Sequence, residues 1–287
     1  MKKNILLIII TLTLLLTTGC FKRDKMEDID IITTIYPIEY ITNRLYGENS
    51  NITSIYPREI NIKEFKLTKK LIKDYSNKDL LIYNGESEER EMAKSFLNKN
   101  HSLKIIDASY GVDLSYSTKN IWLNPSNILM IAQNIKNELK EYITNPYIIN
   151  EINNQYELFK VDISELETEL KNIADNSKDK RIIALDESLK FLEKYGYTVI
   201  NLTENNETKE NNLLLAKDLL ANKNLNYIFI TENDKNNELV NDLKNNYDAE
   251  IATFKVLETI KEEDLNNNKD YISIMYENFE LIRNELY

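Results

Sequence analysis

Between Ile148 and Ile173 the apolar residues fall at Ile148, Ile152, Tyr156, Phe159, Ile163, Leu166, Leu170 and Ile173. Every step is three or four residues, the spacing of a single helical face. Asn145 offers an N-cap and Pro146 suits the first helical position, while Lys171 falls toward the negative end of the dipole. Twenty-six residues at ~1.5 Å each make a rod of roughly 39 Å, long for a globular helix. Strand-like segments lie on both sides of this stretch and none lies inside it. The pattern predicts two lobes joined by a rigid strut.

A chain of 287 residues can bury two modest cores. Its net charge of −11 argues against nucleic acid as a partner, which needs a basic face. Only 5 glycines are present, with no GxGxxG or GxxxxGK[ST] spacing, so a phosphate-cradling loop is excluded. One histidine and one cysteine leave little material for nucleophilic or histidine-based catalysis.

At the amino terminus, Lys2 and Lys3 precede an apolar run from Ile5 to Leu16, too short to span a bilayer comfortably. The run ends in Thr17-Thr18-Gly19-Cys20, which resembles a bacterial lipoprotein signal. That resemblance implies a leader over 1–19, acylation of Cys20 (palmitate among the chains), and a polar tether over 20–28. Two or more acyl chains would hold the protein stably on a membrane.

From residue 29 onward, strands and helices alternate. Asp30 to Ile35, Asn51 to Tyr56, Leu80 to Tyr83 and Lys104 to Ile106 read as strands. Helices are expected over Ile38 to Leu45, Thr68 to Tyr75 and Ser87 to Leu97. A helix capped by Ser126 then runs to Tyr142, ahead of the strut. Beyond the strut, strands are expected over Arg181 to Ala184, Thr198 to Leu202, Tyr227 to Ile230 and Ala249 to Phe254. Helices over Glu187 to Tyr195, Asn211 to Ala221, Asn236 to Asn246 and Asp270 to Leu286 separate and close them. The predicted fold is α/β: two lobes (29–144 and 177–287), each a mainly parallel four-stranded sheet flanked by helices, joined by one long helix (145–176). In such sheets ligands sit at the carboxyl ends of the strands, so the cleft is expected between the facing strand ends.

Several segments share an order with a known family. Thr33-Thr34-Ile35-Tyr36-Pro37, Thr53-Ser54-Ile55-Tyr56-Pro57 and Ser76-Asn77-Lys78-Asp79-Leu80-Leu81-Ile82-Tyr83-Asn84-Gly85 come first. Ile106-Asp107-Ala108-Ser109-Tyr110-Gly111-Val112 and Ile121-Trp122-Leu123-Asn124-Pro125 follow. Together they resemble the substrate-binding lipoproteins of zinc and manganese ABC importers, from Ile29 to the end of the chain. The resemblance implies a non-enzymatic receptor, monomeric and anchored on the extracytoplasmic face of the cell membrane. Its partners would be an ABC permease and a cytoplasmic ATPase, and its transported ligand Zn or Mn.

Receptors of that family hold the metal with histidines and carboxylates from both lobes. At the matching positions this chain has Lys63, Asn120, Leu185 and Lys255. A protonated ammonium has no free lone pair, leucine offers no donor, and asparagine is a weak oxygen ligand. A high-affinity zinc site of the family's usual kind is therefore not expected, and no residue is assigned as a metal ligand. Two alternatives stay open. A shift of a few residues would let Glu64, Asp186, Glu187 or Glu258 act as oxygen ligands, or Lys63 would pair with Asp186 or Glu187 and seal the cleft. A rival role is a surface-anchored interaction lipoprotein that keeps the scaffold without metal binding or transport. The adjacent acids Asp186 and Glu187 do not form the facing pair that acid–base hydrolysis needs, so no catalytic residue is assigned. His101, the sole histidine, falls in a polar loop away from these positions.

Overall fold

The computed structural model describes residues 25–116, 119–203, 207–234 and 237–287. The leader, Cys20 and the start of the tether lie outside the described residues.

The first lobe holds β1 (Ile29–Thr33), α1 (Tyr36–Tyr46), β2 (Ser50–Ser54), α2 (Lys69–Ser76), β3 (Leu80–Tyr83), α3 (Glu89–Leu97) and β4 (Lys104–Asp107). Its strands are all parallel, in the order β2-β1-β3-β4. The connecting elements are α4 (Pro125–Tyr142) and α5 (Pro146–Asn176). The second lobe has β5 (Arg181–Ala184), a 3-10 helix (Glu187–Tyr195), β6 (Thr198–Asn201), α6 (Glu207–Ala221), β7 (Tyr227–Thr231), α7 (Glu238–Tyr247) and β8 (Glu250–Phe254). It ends in a short α8 (Glu262–Asn266) and α9 (Tyr271–Leu286). Its sheet, β6-β5-β7-β8, is again parallel.

The strut is longer than its apolar stripe. At 31 residues α5 spans roughly 46 Å. All eight residues of the stripe are buried, and Asn145 caps the start by accepting the Tyr147 N–H at 3.0 Å. Each such buried side chain contributes about 1.5–3 kcal/mol, which favours one fixed placement of the rod between the lobes. An aromatic cluster pins it to both sides: the Tyr40 ring lies 6.3 Å from Phe159 of α5 and stacks at 5.9 Å on Tyr271 of α9. Arg44 of α1 pairs with Asp162 at 2.5 Å, and Arg283 of α9 pairs with Glu169. One core runs through the first lobe, the rod and the near face of the second sheet. A second core, including Ile183, Leu185 and Ile200, fills the far face beneath α6 and α7.

Local details differ from the sequence reading where tertiary partners decide. The fourth helix starts at Pro125, and its cap is Asn124 rather than Ser126. Lys171 lies five residues before the end of α5 and pairs with Glu167 at 3.0 Å instead of meeting the helix terminus. The segment Glu187–Tyr195 is a 3-10 helix, stopped by Gly196 in the left-handed region at φ 89°. The second strand ends at Ser54, two residues early, where the Ser54 hydroxyl turns to the Thr34 carbonyl at 2.8 Å.

Candidate functional site

The carboxyl ends of both sheets face each other, and the chain segments leaving them are bonded across the gap. Tyr36 N–H, one turn beyond β1, donates to the Glu258 carbonyl at 3.0 Å. Trp122 Nε1 donates to the Val256 carbonyl at 2.6 Å, and Tyr271 Oη donates to the Trp122 carbonyl at 2.6 Å. Tyr195 Oη donates to Asn124 Oδ1 at 2.9 Å. At the rim, Glu262 N–H donates to Glu59 Oε1 at 3.1 Å. Most of these contacts are buried, where a hydrogen bond left unmade is costly.

Two further pairs occupy the middle of the gap. Asn120 adopts the left-handed conformation (φ 50°), which asparagine tolerates better than most residues. Its buried Nδ2 donates to Ser188 Oγ at 3.1 Å in the opposite lobe. Beside it, Lys119 forms an ion pair with Asp186. Burial pushes the Asp186 carboxyl upward, but Lys119 and Ser188 outweigh it and hold the group below its ordinary value. Asp186 also accepts the Ser188 N–H at 2.8 Å, so the same carboxylate caps the 3-10 helix.

The residues singled out from sequence separate into distinct environments. Lys63 is exposed on a 3-10 turn (Ile62–Glu64) and its charge acts on Glu258. Glu258 is half-buried. Burial raises its carboxyl, with Lys63, Lys119 and Asn233 opposing and Glu232 adding to the rise. Glu64 is exposed and accepts from Asn61 Nδ2 at 3.0 Å, within its own turn. Leu185 is buried in the far core of the second lobe, because strand alternation puts it on the same face as Ile183. Lys255 reaches Asp264 of α8 at 2.9 Å and Glu277 of α9 at 3.2 Å. Burial would lower its amine, but these two carboxylates raise it. Glu187 is half-buried at the first position of the 3-10 helix, next to Asp186. His101 is exposed in the turn before β4.

Two residues at the cleft escaped the sequence reading. Lys119 is the actual partner of Asp186, in place of Lys63. Glu89, at the start of an acidic helix, is buried rather than solvated. Its Oε2 accepts the Asn84 N–H at 2.8 Å. Burial pushes its carboxyl up to about 7, against the pull of hydrogen bonds that include Asn84 and Tyr56. Together with Lys63, Tyr56, Phe65 and Met92 it lines a cavity of about 590 Å³ on the first-lobe side.

Among the described residues no group of three or more His, Cys, Asp or Glu side chains is arranged to hold a metal ion. The oxygen donors that do face the gap, Asp186 and Glu258, each lie under the charge of a lysine.

Comparison with known proteins places this geometry in a family. The family of the zinc-uptake complex component A, periplasmic, matches residues 31–285. The high-affinity zinc uptake system protein ZnuA of Bacillus subtilis is 20% identical, over 92% of this chain and 89% of that protein. The zinc-binding lipoprotein AdcA of Streptococcus pneumoniae is also 20% identical, over 98% of this chain but only 60% of its own length. Among solved structures, the metal-dependent lipoprotein YcdH of B. subtilis superposes with a TM-score of 0.77 at 18% identity, over 90% of this chain and 99% of that one. The Zn(II)-bound ZnuA-like domain of S. pneumoniae AdcA gives 0.74 at 18% identity, over 90% and 99%. Both carry the same two-sheet fold. With a match running nearly end to end, this chain belongs to the periplasmic zinc-uptake component A family, whose members are solute-binding receptors and not enzymes.

Proposed function

We propose that this chain is a lipid-anchored, extracytoplasmic solute-binding protein of a zinc- or manganese-type ABC import system. In this reading residues 1–19 are a cleaved leader, Cys20 carries the lipid, and 20–28 tether two lobes, 29–144 and 177–287, about the helix 145–176. The receptor is a monomer that hands its solute to an ABC permease driven by a cytoplasmic ATPase. Its cleft does not take free Zn²⁺ through the family's usual ligands. The observation carrying that last point is the pairing of Lys119 with Asp186 and of Asn120 with Ser188 across the gap. Each pair engages a side chain at or beside a matching ligand position, and the Lys119 ammonium repels an incoming cation.

The strut restricts the lobes to small rocking motions rather than wide hinge closure. Solute entry then requires that the two central pairs part. In-cell cross-linking of the anchored chain tests the transport role: an adduct with an ABC permease is expected. Adducts confined to other surface proteins would contradict it.

A further inference from the structure

The strongest concentration of positive charge on this acidic chain lies away from the cleft. Residues 66–78 carry five lysines against one acid, in a chain of net charge −11. Three exposed lysines, Lys69 and Lys73 of α2 and Lys99 beyond α3, line a cavity of about 670 Å³ with Ile72, Ser76 and Asn77. No carboxylate contributes to that lining. The two helix ends are locked together, since Asn100 Nδ2 donates to the Ser76 carbonyl at 2.7 Å.

This pocket sits at the amino ends of the first-lobe strands, opposite the cleft. Asp79, three residues past Ser76, donates its N–H to the Asp30 carbonyl at the start of β1. The acids of this rim are already engaged. Asp30 is paired with Lys78 at 2.8 Å, and Asp79 Oδ2 accepts the Asp30 N–H at 2.9 Å. The remaining carboxylate of α2, Asp74, is outnumbered by Lys69, Lys70 and Lys73. The chain entering β1 brings exposed Lys25 to this side, along with Glu27 and Asp28.

We infer that the face built by Lys69, Lys73 and Lys99 docks on the anionic phospholipid headgroups of the membrane that carries the anchor. Eight residues separate Cys20 from Ile29, a reach of at most about 30 Å. An anchored chain therefore keeps this edge within contact distance of the bilayer. Lysines near an anionic surface are attracted to it within about a Debye length. In this orientation the cleft points away from the membrane, the attitude for capture, and delivery requires release from the surface. The anchor belongs to the function proposed above, whereas the basic face stands on the described residues alone.

The test uses the exported full chain on vesicles of phosphatidylcholine, with or without phosphatidylglycerol. Amine-reactive labelling is read lysine by lysine, with Lys209 and Lys244 of the second lobe as references. On phosphatidylglycerol vesicles, labelling of Lys69, Lys73 and Lys99 should fall at least about fivefold relative to phosphatidylcholine alone. About 0.5 M salt should restore it. A variant carrying Lys69→Glu, Lys73→Glu and Lys99→Glu should lose the preference for phosphatidylglycerol while keeping its circular dichroism spectrum. Equal labelling on both vesicles would overturn the inference. So would equal protection by inorganic phosphate on phosphatidylcholine vesicles, which would mark a site for a free anion. The mass of the amino-terminal peptide reports acylation of Cys20 separately, so loss of the anchor and loss of the docking face are told apart.

Discussion

Replacing Glu89 with glutamine should make the protein more stable at neutral and alkaline pH. The carboxyl is buried at 6% exposure and has its pKa pushed from an ordinary 4.5 to about 7. A folded-state value above the unfolded one means that the native state holds the proton more tightly. Stability from this group is therefore full below about pH 4.5 and falls as pH rises toward 7, by about 1.4 kcal/mol per pH unit. By pH 8 the ionised carboxylate costs the fold about 3 kcal/mol. Glutamine keeps the volume and the carbonyl that accepts the Asn84 N–H, and the raised value already includes the hydrogen bonds that favour the charged carboxylate. The gain of about 3 kcal/mol at pH 8 corresponds to a melting temperature higher by about 6–12 °C. At pH 4.5 the gain should vanish. Thermal melts of both proteins from pH 4.5 to 8 check this. A Glu89→Gln protein that melts at or below the parent at pH 8, or a difference that does not grow with pH, would refute the assigned burial.

Leu170→Ala, six residues before the end of the strut and fully buried, should destabilise by about 3 kcal/mol in urea unfolding, through lost transfer energy and a cavity. Asp186→Ala removes both the helix cap and the ion pair with Lys119, which is about one-third exposed. Its cost should be about 2 kcal/mol, with hydrogen exchange rising at Ser188 and Asn120 before the rest of the fold. Gly85→Ala would put a methyl 1.9 Å from Asp107 Oδ2, the carboxylate whose other oxygen accepts the Gly85 N–H. Forcing Asp107 aside should cost about 1–3 kcal/mol by calorimetry.

How much of this was legible in advance depends on whether a feature is local. The strut declared itself because its buried stripe obeys one period over its whole length, and the same eight residues are buried in the structure. Leu80–Tyr83 was equally plain, an apolar run buried on both faces between turn residues. The caps were less certain, since Asn124 and Ser126 are both competent and only the Pro125 backbone decides between them. At the cleft, order along the chain assigns residues to family ligand positions, but it does not name their partners. Lys119 meets Asp186 across 67 residues of sequence, and nothing in the neighbourhood of either announces the other. Glu89 lies in the acidic run Glu86-Ser87-Glu88-Glu89, and only packing against Tyr56 and Asn84 distinguishes the buried carboxyl from the solvated ones. Leu185 looked like a cleft position by alignment, while strand parity turns its side chain to the far core.

Calorimetric titration of the purified chain with Zn²⁺ and with Mn²⁺ at pH 7 tests most directly whether its cleft is a family-type metal site. A cleft bridged by Lys119–Asp186 and Asn120–Ser188 should give no stoichiometric heat with micromolar or tighter affinity for either ion. One-to-one binding in that range, weakened by Asp186→Ala or by Glu258→Ala, would contradict the account.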